Sequence, residues 1–312
     1  MNIKQIVVHR GPHLDELAAV WLLRKLGEKL FPGVSKAKIV AWGAKELAEV
    51  GSSEIALTKG ILLVGIGGGM FDDHLRDGQS KRTECAATLV AKSLDILGNP
   101  LYTKLLGNVL QADSEAEGPL QCFAESIKSL NRYWVGSIDL EVIYNLVDPF
   151  IVVEIEKRKE YLEARKLFDT RYKTRVCGVP VSAADGIDNC QYVNAAEKGG
   201  ARVIIQRNSN GLTQIFGCED MDLSRLAVKI RKAEIAEMRN GNRPRFLSDD
   251  ELLGKGTLLE IPQWYLDDAF LLNGSESHPE VPPSQIKFSD IVCIVEKHIA
   301  ETVNRRGREV KK

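Results

Sequence analysis

The sequence predicts an α/β protein, with a mostly parallel sheet in an N-terminal domain and a smaller α+β C-terminal domain. Three observations lead there. The 312-residue chain is 44% hydrophobic and 27% charged, near the globular average, and at roughly 150 residues per domain it is long enough for two. Over the first half, short apolar runs alternate with stretches of helical spacing. Beyond residue 170 the pattern changes to closely spaced strands joined by turn signals.

Residues 3–8 form a short apolar run suited to a buried strand. Leu17, Val20, Trp21, Leu23 and Leu26 then fall at helical spacing, which predicts a helix over 14–30, ended by Pro32-Gly33. Residues 38–42 and 60–66 read as a second and third strand, the latter closing on Gly67-Gly68-Gly69. A helix is predicted over 83–97, with further helices to about residue 169. The stretch 151–168, rich in both charge signs, reads as an exposed helical connector, which puts the domains at 1–170 and 171–312. In the second half, strands are predicted at 175–181, 202–206 and 212–216, with Asn208-Ser209-Asn210-Gly211 as a hairpin turn between the last two. Helices are predicted at 223–239 and 289–303.

Charge and cysteine usage exclude several classes. Lys+Arg is 42 and Asp+Glu is 43, for a net charge of -1, so nucleic-acid binding would have to rest on a local patch. No window approaches the ~18 apolar residues of a membrane span, and the N-terminus lacks the apolar core of a secretory signal. The six cysteines are scattered with no C-x-x-C pair, which speaks against a cysteine zinc site and for reduced thiols in the cytoplasm. Oligomeric state is not legible.

Two of the five histidines lie four residues apart in His9-Arg10-Gly11-Pro12-His13-Leu14-Asp15-Glu16, where the first strand passes into the first helix. In open α/β sheets this carboxyl edge is where ligands bind. Two imidazoles and a carboxylate suit Mn, Fe or Zn. The third strand carries Gly67-Gly68-Gly69-Met70-Phe71-Asp72-Asp73-His74 to the same edge if the two strands are neighbours, and Asp113 adds a further carboxylate. Taken singly, Asp15 is also a plain helix cap and the glycines an ordinary loop.

The H-x-x-x-H-x-D-E run, followed by a glycine-rich strand end and F-D-D-H, resembles the DHH phosphoesterase superfamily, and within it the MYG1-like branch of manganese-dependent exonuclease-type proteins. The ordered motifs cover residues 6–118. Gly200 to Ile205, Asn210-Gly211 and Phe270 to Ser275 resemble that family's C-terminal domain less specifically. The resemblance implies metal-ligand places for His9, His13, Asp15, Asp73 and Asp113, with Mn²⁺ as one or two ions, or Mg²⁺ or another divalent ion instead. It implies that His74 contacts the phosphate or donates a proton, beside Asp72. Gly65 stands where the family has a bridging aspartate, with Asp72 on the next turn as its candidate replacement.

The expected activity is metal-dependent phosphodiester hydrolysis, of exonuclease type, on RNA or short oligonucleotides. Arg10 and Arg76 are candidates to neutralise phosphoryl oxygens as charge develops. Residues 225–245 carry seven Lys/Arg against two acids, a stretch suited to a phosphodiester backbone or equally to an exposed helix face. Trp264 and Tyr265 could stack on a base or belong to the core. Asn273, Gly274, Ser275 and His278 could hold a terminal nucleotide, or form a plain turn. The C-terminal domain is expected to close over a cleft and read the substrate. Two other functions fit the same residues: a phosphohydrolase of a small dinucleotide or pyrophosphate, and a catalytically degenerate regulatory protein that binds a metal or nucleotide.

Overall fold

The computed structural model describes residues 2–74, 83–133, 139–217, 221–238, 247–274 and 280–309. The chain divides into two compact units, Met1–Lys159 and Glu160–Lys312. The division falls inside a long helix.

The first unit runs β1 (Gln5–His9), α1 (Leu14–Leu26), β2 (Lys38–Trp42), α2 (Ala44–Val50), α3 (Ser53–Thr58), β3 (Ile61–Leu63), α4 (Ala86–Ser93), α5 (Pro100–Ser114), α6 (Gln121–Tyr133) and the first part of α7 (Leu140–Thr170). Its three strands form a parallel sheet of order β2-β1-β3. Such a sheet needs both faces covered, and both are. Leu17, Ala19, Val20 and Leu23 of α1 are fully buried in a core shared with Ala87, Val90 and Ala91 of α4 and with Val109 of α5. The other face packs Val7 and Leu63 against Ala56 of α3 and Leu47 of α2. At about 1.5–3 kcal/mol per buried aliphatic side chain, α1 is the main anchor of this unit. Arg24 fixes α7 to it, donating to both carboxylate oxygens of Glu141 at 2.8 and 2.6 Å.

The second unit continues from the end of α7 into β4 (Tyr172–Val176), β5 (Val179–Ala184), α8 (Tyr192–Lys198), β6 (Val203–Arg207), β7 (Thr213–Phe216), α9 (Leu223–Glu237), α10 (Asp249–Leu252), β8 (Gly256–Leu258), β9 (Ile261–Leu266), β10 (Phe270–Asn273) and α11 (Phe288–Glu309). Seven strands form one sheet of order β4-β5-β6-β7-β10-β9-β8. Only the β5–β6 pair is parallel, and α8 lies in its crossover. One face buries Val203, Ile205, Ile215, Trp264 and Leu271 with Leu226 and Ile230 of α9 and Ile291, Val295 and Ile299 of α11. The other carries a smaller cluster around Tyr192, Ala196 and Phe168.

This architecture corrects the predicted fold class. The parallel sheet stops at three short strands, because after β3 the first unit is helical. The main sheet of the protein belongs to the second unit and is mixed, mostly antiparallel. Short turns give antiparallel pairs: residues 208–212 join β6 to β7 directly, Asn208 N–H donating to Leu212 O at 2.9 Å. The larger sheet therefore lies in the second unit, with seven strands against three. Among the described residues, no helix is long and apolar enough to cross a membrane.

His298 of α11 is 3% exposed, and its Nε2 has no hydrogen-bond partner among the described residues. Burial, then Lys229, hold its pKa below the ordinary 6.5, against weaker opposing contributions from Asp222 and Glu301. The folded state therefore binds this proton less tightly than the unfolded chain. The stability it contributes is complete above pH 6.5 and is lost as pH falls through the depressed folded value. We expect thermal unfolding of the second unit to come at lower temperature at about pH 5.5 than at about pH 8, and His298→Leu to flatten that difference. An unchanged pH response in the variant would assign the loss elsewhere.

Candidate metal centre

Strands β1 and β3 are paired and parallel, with Val7 opposite Leu63, so both chains leave the sheet at the same edge. Beyond β1, Gly11 adopts φ +83, and the turn is held by buried Asn131 of α6, whose Nδ2 donates to Pro12 O at 2.6 Å. That turn places His13 as N-cap of α1 and sends Asp15 and Glu16 into the helix's first turn. Both acids are buried, at 5% and 3% exposure. Carboxylates are favoured at a helix N-terminus. Asp15 meets a second one, accepting from the N–H of Ala86, the first residue of α4, at 3.2 Å.

Beyond β3 the chain folds back through the glycine run. Gly65 N–H donates to Phe71 O at 2.8 Å, and Phe71 is buried. The Asp72 carboxylate organises this loop. It accepts from Gly68 N–H at 2.7 Å, from His74 N–H at 3.0 Å, and from His74 Nδ1 at 2.8 Å. A carboxylate is acceptor-only, so Nδ1 carries the proton and Nε2 is the ring's second nitrogen. Asp113 comes from α5.

These segments line one cavity of about 370 Å³. His9, Arg10, His13, Asp15, Asp73, His74 and Asp113 all face it, while Asp72 stands behind His74. Ligand atoms of His13, Asp15 and Asp113 lie within 4.8 Å of one another, and so do those of Asp72, Asp73 and His74. The rings of His9 and His74 meet edge to face, with centroids 5.8 Å apart.

The electrostatics are those of crowded carboxylates. Burial, then Asp113 and Glu16, push the Asp15 carboxyl well above its usual range. Asp113 is raised by burial and by Asp73, and Asp73 by burial foremost. The His9 imidazole is raised, chiefly by its hydrogen bond to Glu16. A divalent cation among His13, Asp15 and Asp113 would remove the repulsion that raises these carboxyls, and mixed imidazole–carboxylate donors suit Mn²⁺, Fe²⁺ or Zn²⁺. The donor set therefore fits such an ion.

The remaining predicted residues are placed differently. Arg10 also pairs with Glu46 of α2. Arg76, Ser275 and His278 lie outside the described residues. Asn273 is fully buried on β10. Its Nδ2 donates to Gln263 O at 2.8 Å and Pro282 O at 3.1 Å, and its Oδ1 accepts from Ser284 N–H at 2.7 Å. Those bonds lock the strand end and leave little for a nucleotide. Gly274, at φ +67, would set a Cβ 2.8 Å from Leu212 Cδ2. Of the basic stretch, Arg239, Arg243 and Arg245 lie outside the described residues, and the other four are dispersed. Arg225 pairs with Asp222, Lys229 with Glu301 and Lys232 with Asp249, while Arg231 is fully buried. Trp264 is core at 0% exposure, whereas Tyr265 is exposed and stacks on Phe270.

Two residues of the cavity escaped the sequence. Lys128 of α6 lines it and pairs with Glu125 at 3.2 Å; nothing distinguishes it in sequence from other helical lysines. Glu16 also lines it. Its position three residues after His13 is a capping signal, and its spacing of seven from His9 carried no signal of its own.

No family model matches the chain, and no curated protein matches it. Among solved structures it aligns with an uncharacterized protein from Helicobacter pylori G27, at 10% identity, over 97% of this chain and 100% of that one. The TM-score of 0.23 is too low to establish a shared fold.

Proposed function

We propose that the protein is a metal-dependent phosphoesterase, and that the order of its motifs from His9 to Asp113 reflects kinship with the DHH superfamily. One observation carries this: His13, Asp15 and Asp113, from two helices far apart in sequence, converge within 4.8 Å in a cavity that Asp73 and His74 also line. Local structure alone does not require the buried Asp15 to meet a second carboxylate there, and burying its charge beside another costs stability without a cation. Mn²⁺ is the ion we infer, as one or two ions, with Mg²⁺ or another divalent ion as the alternative.

A divalent ion bound there supplies Lewis-acid stabilisation of phosphoryl oxygens and activation of water. The chain's own groups do the rest. His13, Asp15 and Asp113 would hold the ion, and Asp73 lies close enough to raise both carboxyls. His74 is fixed at Nδ1 by Asp72, so that its doubly protonated ring would give the Nε2 proton to the leaving oxygen. Lys128 and Arg10 set positive charge at the cavity wall against the phosphoryl group.

The substrate is a phosphodiester of RNA or a short oligonucleotide. A second reading, a small dinucleotide or pyrophosphate, is favoured by one observation: the four described cations between residues 225 and 232 are already engaged. End-labelled RNA and a dinucleotide, each with and without Mn²⁺, separate the two. We expect Mn²⁺-dependent hydrolysis that disappears in Asp15→Ala and His74→Ala. Binding that weakens steeply with salt would favour the polymer, and a flat response the small substrate. Hydrolysis that survives Asp15→Ala would remove the site from the reaction.

A further inference from the structure

Glu16 makes more contacts than a helix cap requires. Its Oε2 accepts from His13 N–H at 2.9 Å, the ordinary capping bond. Its Oε1 reaches back to the end of β1 and accepts twice from His9, from the backbone N–H at 2.9 Å and from ring Nδ1 at 3.0 Å. Both oxygens are committed to the two histidine residues. That argues against Glu16 as a direct ligand and for an orienting role. With Nδ1 as donor, the neutral His9 ring carries its lone pair on Nε2, the nitrogen a cation can use.

The same side chain determines what stands opposite. Gly65 has φ +67, and a Cβ there would lie 2.7 Å from Glu16 Cγ and 3.0 Å from both Cδ and Oε1. The carboxyl arm of Glu16, 3% exposed, fills the space that a side chain at position 65 would enter. Backbone N–H of Gly65 is meanwhile held by Phe71 O, so the loop cannot simply swing away.

We propose that Glu16 is the positioning residue of the cavity: it fixes the His9 ring at the cavity wall and anchors the backbone of His13 beside the proposed cation site, and Gly65 is glycine because Glu16 occupies its side-chain space. This role presupposes the phosphoesterase cavity proposed above. Position 65 is then a packing requirement of an intact site.

Three measurements on the full chain test it. First, Glu16→Gln keeps the volume but places an amide NH₂ against N–H donors. Its Mn²⁺ affinity, read by EPR of free Mn²⁺, should fall roughly 10- to 100-fold, the usual loss for an outer-shell partner. Second, ¹⁵N NMR without metal should find the neutral His9 ring protonated at Nδ1 in wild type and shifted toward Nε2–H in Glu16→Gln. Third, Gly65→Ala should lower the unfolding temperature strongly in the wild-type background and clearly less in Glu16→Ala, where only the φ strain remains. Unchanged Mn²⁺ affinity in Glu16→Gln together with an unaltered His9 tautomer would overturn the positioning role. Equal damage from Gly65→Ala in both backgrounds would overturn the packing link. Absence of Mn²⁺ binding in the wild type itself would sink the metal reading, while the tautomer and the stability cycle would still judge Glu16.

Discussion

Asp15→Asn should stabilise the metal-free protein and abolish its Mn²⁺ binding. The two effects share one cause. In the absence of a cation, the Asp15 carboxylate is buried beside Asp113, Glu16 and Asp73, and burial is the largest contribution to its raised pKa. Asparagine keeps an oxygen to accept from Ala86 N–H and removes the charge. We expect a gain of about 0.5–2 kcal/mol at neutral pH, typical of relieving one unfavourable group. Mn²⁺ affinity should fall by more than the roughly 10–100-fold that outer-shell substitutions cost. The sign with pH follows from linkage. A carboxyl raised in the fold favours the folded state below its unfolded value of 3.8, and that contribution is lost as pH rises through the raised folded value. The gain in Asp15→Asn should therefore shrink toward acid. Denaturant melts across pH, paired with Mn²⁺ titration, check both. A variant less stable than wild type at neutral pH would make Asp15 a structural acid.

Arg231→Met should be the most destabilising single change in the second unit. The guanidinium is fully buried without a carboxylate partner among the described residues. Burial lowers its pKa to about 10, so it stays charged at neutral pH. It donates from Nη1 to Leu252 O and Gly254 O, each at 2.7 Å, and from Nη2 to Gly256 O at 2.8 Å and Trp264 O at 2.9 Å. Removing a buried charge would relieve desolvation. Orphaning a buried carbonyl costs about 1–3 kcal/mol, and with Leu252 O and Trp264 O in buried bonds and two more in part-buried ones the second effect wins. We expect a loss of roughly 3–5 kcal/mol after relaxation. Arg231→Lys should fall between, since three donors without the planar fork cannot serve four carbonyls. Equilibrium denaturation of the three proteins tests the order. A Met variant as stable as wild type would mean that those carbonyls find other donors.

Arg231 also marks where the sequence misleads. Its neighbours Lys229 and Lys232 make the segment look like a basic face, yet Arg231 points into the core and each lysine has an acid across from it on α11 or α10. Those acids lie far along the chain, so local charge counting could not see them. The reverse holds at the candidate metal centre. That β1 and β3 are strands was legible because their apolar runs are continuous, and Asp15, Asp73, His74 and Asp113, which line one cavity, stood out because few residue types bind cations. Glu16 was visible as a letter in a motif, but its bonds to His9 depend on how the turn at Gly11 brings the end of β1 back over α1. The small size of the parallel sheet was not legible. Residues 60–66 look like a full strand, but pairing with β1 ends at Leu63, where the chain turns toward Gly65. Nor were β8 to β10 found: β8 is only Gly-Thr-Leu, β9 carries a proline, and none of the three runs alternates apolar with polar residues regularly enough to count as a strand.

The order of the seven-stranded sheet has a consequence for self-association. An open sheet ends in two rows of backbone donors and acceptors that could template a strand from another molecule. Both ends are blunted here. Strand β4 forms one edge and carries Lys173 and Arg175, both exposed, so a second copy laid alongside would bring like charges together. Strand β8 forms the other edge. It is three residues long, and its register against β9 breaks between Gly256 and Leu258, which leaves too short a rail for a neighbour to follow. Fibre-like growth by strand addition is thus disfavoured at both margins by charge on one side and by brevity on the other.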